Sequence, residues 1–374
     1  MTTVAVSANT SWYLYNFRAS SLRALLDAGY RVICLTPADA YSERLQRELG
    51  CEWLPLPMDN QGSNPLRDAA LTLRLWRYYR RLRPDAACHF TIKNNVYGTW
   101  AARTLNIPSI NTVPGLGTSF SRRGLVPWIA RQLYRASQRF ATQVFCQNRH
   151  DLRDLVDFRL VPVDKLTLIP GSGVDTQRFQ PAWSGDADAR PFRFMFAGRM
   201  LYDKGLAELR QAMEMLRDEQ RDCELWLCGF ADAKSASAMR EAELQDWART
   251  PGVHWLGPHD DMERLYHQVD CVVLPTYYRE GVPRSLLEAA ACGLPVISTA
   301  MPGCDELVED GVTGLLCQPR DPASLARAMT TMLELAPTER RRMGQAGRDR
   351  VSADYDEARV VSATLDAIAR AVAT

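Results

Sequence analysis

Short apolar runs alternate along the chain with segments whose apolar positions recur at helical spacing. Seven runs in the first half resemble strands: TVAVSA, RVICLT, EWLPLPM, AACHFT, PSINTV, QVFCQN and KLTLIPG. Six more follow in the second half: FRFMFAG, CELWLCG, VHWLG, CVVLPT, PVIST and GLLCQP. Intervening segments such as SLRALLDAGY and SLLEAAACG end at a glycine, a common helix stop signal. The alternation predicts parallel β-sheets covered by helices on both faces.

The alternation occurs twice, which predicts an α/β protein of two doubly wound, Rossmann-like domains with a cleft between them. Residues 178–192 (RFQPAWSGDADARPF) are rich in Pro, Gly and Asp and predict an interdomain linker. We therefore expect an N-terminal domain at 1–177 and a C-terminal domain at 193–354. Ligands are expected beyond the carboxyl ends of the strands. The segment 355–374 predicts an amphipathic helix that packs back onto the N-terminal domain.

Composition adds a charge asymmetry to this picture. The chain has 374 residues, 46% of them hydrophobic and 24% charged, which is typical of a globular protein with two cores. Its net charge is only +1, but residues 1–180 hold 23 Lys and Arg against 13 Asp and Glu. The window 60–150 holds 14 basic and 2 acidic residues. The first half is thus expected to face something anionic: a membrane surface, phosphates or nucleic acid.

The ten cysteines mostly occupy apolar runs, without a C-x-x-C pair or a His/Cys cluster at metal-binding spacing. This usage indicates buried, reduced thiols and a reducing compartment. The N-terminus lacks a charged region followed by an apolar one, and no apolar run reaches the length of a membrane span. We expect a cytoplasmic protein that contacts the inner membrane peripherally from the cytosolic face.

Two glutamates lie eight positions apart around a loop and a helix start. YYREGVPR follows the strand CVVLPT, and a helix is expected from about Ser285. The free N–H groups of a helix start favour an anion such as a diphosphate, so Glu280 and Glu288 would reach hydroxyl groups on either side of it. Two other interpretations stay open. Ser285 and Glu288 have capping-box spacing, and Glu280 could be a solvated loop residue.

A second loop, in FMFAGRMLYDKGL, carries two cations. The strand ends at Ala197, and Arg199 and Lys204 follow the turn at Gly198. Such cations would suit a diphosphate leaving group and would stabilise its charge without a metal. The alternative is an ordinary charged loop between a strand and a helix.

Together, AGRMLYDKG, REGVPRSLLEAAACGLPVIST and GCDELVEDGVTGLL resemble the retaining GT-B glycosyltransferases of family 4. In the first half, NTSWYLYNFRASSLRALLDAGYRV, TIKNNVYGTWAAR and NTVPGLGTSF resemble the subgroup that builds bacterial surface polysaccharides. The resemblance implies catalytic roles for Glu280 on the donor sugar and for Arg199 and Lys204 on the diphosphate, with Glu288 on the ribose. The remaining implied nucleotide-sugar contacts are Gly198, Gly257, Pro258, Gly281, Val282, Pro283, Arg284, Ser285 and Leu286.

The first half departs from the family pattern. A histidine expected near the donor sugar is displaced by one residue, so His89 would point to the opposite side of its strand and is interpreted as a core residue. The better candidates on the acceptor side are Thr91, Lys93, Asn94, Gly115 and Gly117. The usual Gly-Gly pair of the first loop is replaced by NTSWYLYNF. Asp186 and Asp188 mimic a metal-binding D-x-D, but they follow no strand and no metal is expected.

Two basic segments in the first half have helical spacing. Residues 66–83 place Leu71, Leu75, Tyr78 and Leu82 on one stripe and Arg74, Arg77 and Arg81 on another. Arg131, Arg135 and Arg139 repeat at intervals of four. These helices either pack a core stripe under a solvated basic face or rest on anionic lipid, with Trp76, Tyr79 and Trp128 at the interface.

The resulting hypothesis is a retaining transferase that uses a UDP-sugar, with N-acetylhexosamine or galactose as the sugar. Its acceptor would be a polyprenyl-diphosphate-linked saccharide in the synthesis of O-antigen, capsule or exopolysaccharide. No cofactor, metal or nucleic acid is expected. Two alternatives are a sugar-nucleotide epimerase on the same fold and a non-catalytic module that binds membrane or nucleic acid.

Overall fold

The computed structural model describes residues 1–59, 64–117, 124–181, 190–232 and 235–373. These residues form two compact units. The first comprises Met1–Ser172 and Glu357–Thr374, and the second comprises Gly173–Asp356. The predicted linker 178–192 belongs to the second unit by its contacts, and its residues 182–189, with Asp186 and Asp188, lie outside the described residues.

The first unit contains a seven-stranded parallel sheet in the order β3-β2-β1-β4-β5-β6-β7. Its strands are β1 Thr3–Ser7, β2 Arg31–Thr36, β3 Glu52–Pro55, β4 Ala86–Phe90, β5 Ser109–Val113, β6 Gln143–Cys146 and β7 Leu166–Leu168. Its helices are α1 Ser11–Asp27, α2 Ser42–Arg47, α3 Pro65–Leu82, α4 Thr99–Arg103, α5 Leu125–Gln138, α6 Arg149–Asp157 and the last helix, α13 Glu357–Ala373. The direction of winding reverses between β1 and β4.

The central strands of this sheet are buried along their whole length, because helices cover both faces. A π-helical turn, Asn94–Gly98, leads from the end of β4 into α4. On one face, α13 packs against α1, and its Val360, Ala367 and Ile368 join the same apolar core. The last helix therefore completes the first unit although it follows the second in sequence.

The second unit contains a six-stranded parallel sheet in the order β10-β9-β8-β11-β12-β13. Its strands are β8 Phe192–Ala197, β9 Cys223–Cys228, β10 Val253–Gly257, β11 Cys271–Leu274, β12 Val296–Thr299 and β13 Gly314–Cys317. Its helices are α7 Leu206–Asp218, α8 Glu241–Trp247, α9 Met262–Tyr266, α10 Arg284–Ala291, α11 Pro322–Glu334 and α12 Pro337–Asp354. Winding reverses between β8 and β11. Two doubly wound parallel sheets confirm the predicted fold class.

All ten cysteines are free thiols. Nine are buried and Cys223 is half-buried, which agrees with the expectation from their apolar surroundings. No helix among the described residues combines the length and the hydropathy needed to cross a bilayer.

The predictions for α3 need two corrections. Leu71, Leu75 and Tyr79 are buried, whereas Tyr78 lies nearer the surface and its hydroxyl donates to the carbonyl of Pro55 at 2.7 Å. The inward face therefore follows a spacing of four residues. The prediction of Tyr79 as a membrane-interface aromatic is wrong, since its side chain is fully buried.

Candidate active site

Two loops of the second unit leave adjacent strands at the point where the winding reverses. One follows β8 and contains Gly198, Arg199 and Lys204; the other follows β11 and contains Glu280 and Gly281. At such a point the loops diverge and leave a crevice beyond the carboxyl ends of the strands, which is where doubly wound sheets bind ligands. The fold thus brings the two motifs singled out in the sequence to one place.

An ion pair joins the two loops. Lys204 Nζ lies 2.5 Å from Glu280 Oε1, and each side chain is only 14% exposed. The hydroxyl of Thr276 lies 3.5 Å from the same carboxylate oxygen. A carboxylate held by a cation in a partly dry crevice keeps its orientation, because turning away would leave a charge poorly solvated. The interpretation of Glu280 as a solvated loop residue is therefore wrong.

Backbone contacts lock the same two loops together. The carbonyl of Asp203 accepts hydrogen bonds from the amides of Tyr277 and Tyr278 at 3.0 and 3.1 Å. Gly205 has a φ of 82°, and a Cβ there would overlap the carbonyl of Pro275. Gly303, with a φ of 85°, supports the second loop in the same way, because its Cβ would overlap the carbonyl of Gly281. Only glycine fits at both positions.

Arg199 supplies a second cation on the first loop. Its guanidinium lies 3.3 Å from Asp232 Oδ2, and its side chain is 41% exposed. The contact of this guanidinium is longer and more exposed than that of the Lys204 ammonium. Gly198, just before it, donates its amide to the carbonyl of Cys228 at 2.9 Å and so fixes the turn to the end of β9.

Glu288 lies one turn into α10 and is held from two sides. Arg284 Nε lies 2.8 Å from Glu288 Oε1, and the hydroxyl of Tyr266 donates to Glu288 Oε2 at 3.0 Å. Burial, and then the adjacent Glu288 charge, raise the pKa of Tyr266, so this hydroxyl keeps its proton. The helix begins at Arg284 after Pro283 and has no side-chain cap. The capping-box interpretation of Ser285 and Glu288 is wrong, because the carboxylate pairs with Arg284 instead.

Among the other predicted nucleotide-sugar contacts, some side chains are buried and others are exposed. Val282 and Leu286 point into the core, so these residues offer a ligand only their backbone. Gly257 ends β10 with a φ of 71° and open space where a Cβ would lie, and Pro258 after it is exposed. The open space at Gly257 lets a ligand approach the backbone there.

In the first unit, His89 is a core residue. It is fully buried, with Nε2 at 2.9 Å from the Tyr79 hydroxyl and Nδ1 at 2.7 Å from Asn111 Oδ1. Burial lowers its pKa to about 4, so the ring is neutral near pH 7. A Cβ on Gly98 would overlap the imidazole, which explains the glycine in the π-helical turn. The structure agrees with the interpretation of His89 as a core histidine.

The acceptor-side candidates gather at the end of β4. Thr91 has a φ of 74°, a strained conformation for a β-branched residue. Asn94 donates to its hydroxyl at 3.2 Å, and the amide of Asn95 donates to its carbonyl at 2.9 Å. Lys93 Nζ pairs with Asp68 at 2.8 Å, and the hydroxyl of Tyr97 donates to the second oxygen of that carboxylate.

Gly115 and Gly117 flank Leu116 in the loop after β5. Gly117 has a φ of 59°, and the amide of Leu116 donates to the buried carboxylate of Asp151 at 3.0 Å. Because β4 and β5 are neighbouring parallel strands, both groups of acceptor-side candidates lie at the same edge of the sheet.

Several residues at these sites were not identified from the sequence. Tyr266 contacts Glu288 and Asp232 contacts Arg199, and both contacts join positions distant along the chain. No local sequence pattern predicts Tyr266 or Asp232 as a partner of these site residues. Thr276 ends the run CVVLPT without a distinguishing neighbour. Gly205 could have been found, because the glycine after Asp203-Lys204 marks a left-handed turn before α7.

Comparison with known families accounts for both units. Residues 18–171 match the family described as "Glycosyl transferase 4-like domain", and residues 191–335 match "Glycosyl transferases group 1". The chain belongs to the group 1 glycosyltransferases. The resemblance to the GT-B glycosyltransferases of family 4 that the motifs indicated is therefore confirmed.

Among similar proteins, this glycosyltransferase is 28% identical over 337 residues to the N,N'-diacetylbacillosaminyl-diphospho-undecaprenol alpha-1,3-N-acetylgalactosaminyltransferase of Campylobacter jejuni, with 86% of each chain covered. It is 23% identical to the UDP-Gal:alpha-D-GlcNAc-diphosphoundecaprenol alpha-1,3-galactosyltransferase of Escherichia coli, covering 72% of this chain and 71% of that one. The solved structure of HepE from Anabaena, in complex with UDP and glucose, covers all of both chains at 19% identity with a TM-score of 0.80. That likeness confirms the GT-B fold.

Proposed function

We propose that this glycosyltransferase moves a hexosyl unit, N-acetylhexosamine or galactose, from a UDP-sugar to a polyprenyl-diphosphate-linked saccharide. The product would serve bacterial surface-polysaccharide synthesis (O-antigen, capsule or exopolysaccharide) on the cytosolic face of the inner membrane. The observation that carries the proposal is the Lys204–Glu280 ion pair at the reversal of winding in the second sheet. The two curated relatives, both named for undecaprenol-linked substrates, support this choice of acceptor.

The donor diphosphate would lie between Arg199, Lys204 and the start of α10. Guanidinium and ammonium groups together with the amides of Gly281–Leu287 provide charge-assisted donors for phosphate oxygens. Lys204 would exchange part of its contact with Glu280 for the diphosphate. Arg199 would leave Asp232, whose 3.3 Å contact is the looser of the two ion pairs.

Glu280 and Glu288 would hold hydroxyl groups on opposite sides of that diphosphate. Glu280 faces the sugar, and Glu288 faces the ribose, with the base near Gly257 and Pro258. Each oxygen of Glu288 already accepts one hydrogen bond, from Arg284 or Tyr266. A carboxylate oxygen has a second lone pair, so the Glu288 carboxylate can still accept from the two ribose hydroxyls.

Transfer would proceed with retention. The acceptor hydroxyl attacks the anomeric carbon on the side from which the diphosphate departs, the carbon–oxygen bond to the phosphate breaks, and a phosphate oxygen takes the hydroxyl proton. Arg199 and Lys204 stabilise the charge on the leaving UDP. Preorganised charges of this kind commonly contribute about 10²–10³ in rate for each group.

The acceptor would bind the first unit beside Thr91, Lys93 and Asn94 and the loop of Gly115 and Gly117. Lys93 keeps 18% of its side chain exposed while it pairs with Asp68, so its ammonium can still reach an acceptor phosphate. The excess of basic residues in the window 60–150 supports an anionic membrane surface as the partner of this unit.

Thermal shift with nucleotides tests donor binding. UDP is expected to raise the melting midpoint more than GDP or ADP, because a ligand that binds only the folded state stabilises it, by about 2.7 kcal/mol at a hundredfold excess over Kd. Glu288→Ala should lose this shift. Glu214→Ala, which removes an exposed carboxylate of the same unit, should keep it. A panel of UDP-sugars then ranks the donor, and transfer to a synthetic polyprenyl-diphosphate sugar tests the acceptor.

The proposal of a UDP-sugar donor fails if no nucleotide shifts the wild type in the presence of such an acceptor. If UDP binds but no polyprenyl-linked saccharide is elongated, the choice of acceptor is wrong and the donor site stands.

A further inference from the structure

The first turns of α5 carry an exposed apolar cluster. Among the described residues, thirteen large hydrophobic side chains are exposed, and four of them fall within five consecutive positions. They are Leu125, Val126, Trp128 and Ile129, with exposures of 71%, 62%, 55% and 41%. Single exposed apolar residues are ordinary on protein surfaces, but a contiguous group marks an interaction site.

The cluster lies on the outward face of its helix. Leu125, Trp128 and Ile129 are spaced by three and four residues and so share one face. Tyr134 is nine residues after Leu125, which places it on the opposite face, and it is fully buried in the core. The second half of α5 thus attaches the helix to the unit, and the apolar face of its first half is not used in that attachment.

The position of the cluster in the fold shows which edge of the first sheet it adjoins. A helix that follows a strand in a parallel sheet starts near the carboxyl end of that strand. The starts of α3 and α5 therefore border the edge at which β4 and β5 end, where Thr91 and the Gly115–Gly117 loop lie. At the start of α3, Leu66 is 81% exposed. Apolar side chains thus surround the edge proposed to receive the acceptor.

The charge of the surface around this cluster indicates the kind of partner that it binds. The window 60–150 has 14 basic residues but only two carboxylates, Asp68 and Asp85. Asp68 is buried beside Lys93, and Asp85 precedes β4 at the opposite edge of the sheet. Of the exposed arginines, Arg67 and Arg74 lie nearer the carboxyl edge, whereas Arg80, Arg81 and Arg135 are in the last turns of their helices, towards the opposite edge. A surface both cationic and apolar suits an anionic bilayer, whereas the centres of protein interfaces are depleted in charge.

We propose that Leu125, Trp128 and Ile129 insert at the headgroup–acyl boundary of an anionic bilayer, while Arg67 and Arg74 of α3 contact lipid phosphates. The carboxyl edge of the first sheet then faces the membrane, and a diphosphate at headgroup height reaches the loop after β4. This inference rests on the proposed function only for the identity of the acceptor. Insertion itself requires no sugar transfer.

Vesicle co-sedimentation tests the insertion. The wild type should sediment with vesicles of phosphatidylethanolamine and phosphatidylglycerol, and much less with phosphatidylcholine alone. Trp128→Ser/Ile129→Ser should lower the partition coefficient by roughly tenfold or more, because the apolar part of the binding is removed. Met215→Ser/Val312→Ser, which removes exposed apolar side chains from the second unit, is the matched control and should bind like the wild type. The thermal shift with UDP should be equal in all three proteins, so that failure of the donor proposal is seen separately.

The fluorescence of Trp128 also reports how deeply the cluster inserts into the bilayer. Lipids brominated in their acyl chains should quench part of the protein fluorescence, and Trp128→Phe should lose that part while it still binds vesicles. The proposal is overturned if the wild type does not bind anionic vesicles, or if the double serine variant binds them as tightly. It is equally overturned if the wild type is a dimer that this variant dissociates without any vesicle binding, because the cluster would then be a contact between copies.

Discussion

The carboxyl edges of the two sheets differ in chemistry although the sheets share one architecture. The edge of the second unit carries charged side chains in ion pairs, Lys204 with Glu280 and Arg284 with Glu288. The corresponding edge of the first unit, around β4 and β5, has one ion pair, Lys93 with Asp68, and a larger uncharged network in which His89, Asn111, Asn95 and Gln138 are fully buried. A charged diphosphate and its hydroxyl-rich neighbours require the first kind of edge. A saccharide held mainly by shape and neutral hydrogen bonds, with Lys93 for the phosphate of its carrier, fits the second.

This difference teaches that one fold can separate charge stabilisation from substrate positioning. Developing negative charge on the leaving group needs a fixed cation, and Lys204, held by Glu280 between the loops of β8 and β11, supplies one. The first unit instead fixes its backbone, with the strained Thr91 held by Asn94 and Asn95. We therefore expect changes in the second unit to alter the chemical step, and changes in the first unit to alter stability or acceptor binding.

Removing the charge of Glu280 should have the largest effect. In Glu280→Gln, Lys204 loses its carboxylate partner and the sugar loses a fixed acceptor, so kcat should fall about 10²–10³-fold. Steady-state transfer assays measure this loss. The thermal shift with UDP should persist, because the cations on the diphosphate remain.

Glu224→Gln is the control for that experiment. Glu224 pairs with Arg193 at 2.8 Å, with 22% of its side chain exposed, at the other end of the same sheet. Its loss should leave kcat within about twofold of the wild type, since it removes a comparable ion pair away from the site. Similar losses in both variants would show that Glu280 acts through stability alone.

A methyl group at Gly205 should separate the two loops of the second edge. Gly205→Ala combines left-handed strain with overlap on the Pro275 carbonyl, and we expect a loss of about 2–4 kcal/mol in the free energy of unfolding. Gly311→Ala has the same sign of φ, at 74°, but open space around the new Cβ, so it should cost only about 1–2 kcal/mol. Urea denaturation compares the two variants. Equal losses would mean that the loops separate easily and that their contact does not matter.

The two edges also differ in how far the sequence predicts them. Apolar runs were enough for the thirteen strands among the described residues. The central strands are buried on both faces and so are continuous apolar runs, and the half-exposed edge strands β3, β7 and β10 keep enough apolar residues to be recognised. Lys204 and Glu280 stood out because charged residues and glycines follow strands there, and the structure brings them together; their donor role stays a prediction. The contacts of Tyr266 with Glu288 and of Asp232 with Arg199 could not be predicted, because they form only when distant segments fold together. The Ser285–Glu288 spacing predicted a capping box that does not form, because the Glu288 carboxylate pairs with Arg284 instead. The left-handed Thr91 was unpredictable, since threonine rarely adopts that backbone.

The buried histidine of the first unit should make stability depend on pH. The pKa of His89 is about 4 in the folded protein against an ordinary value of 6.5. Folding therefore disfavours its protonated form, so its contribution is complete above about pH 6.5 and is lost as pH falls towards 4. Two to three pKa units correspond to about 3 kcal/mol. Unfolding of the wild type and His89→Gln, followed by urea from pH 7 to pH 4, should show a shallower decline in the variant.

His254→Gln provides the comparison, because this histidine is exposed on the second unit. The free energy of unfolding of His254→Gln should change with pH as that of the wild type does. The comparison between the two edges would weaken if His89→Gln kept the wild-type slope, because the network of the first unit would then tolerate a charge.

The smallest effect on stability should come from relieving the strain at Thr91. Thr91→Gly permits the φ of 74° without a Cβ but removes the hydrogen bond from Asn94, so the free energy of unfolding should stay within about 1 kcal/mol of the wild type. Gln220→Gly relieves a similar φ of 58° outside either site and should leave the transfer kinetics unchanged. If the strain serves to position the acceptor, Thr91→Gly alone should raise the KM for the acceptor severalfold, with the UDP shift intact. An unchanged KM would reduce Thr91 to a tight turn, and acceptor binding would then have to be sought at the Gly115–Gly117 loop.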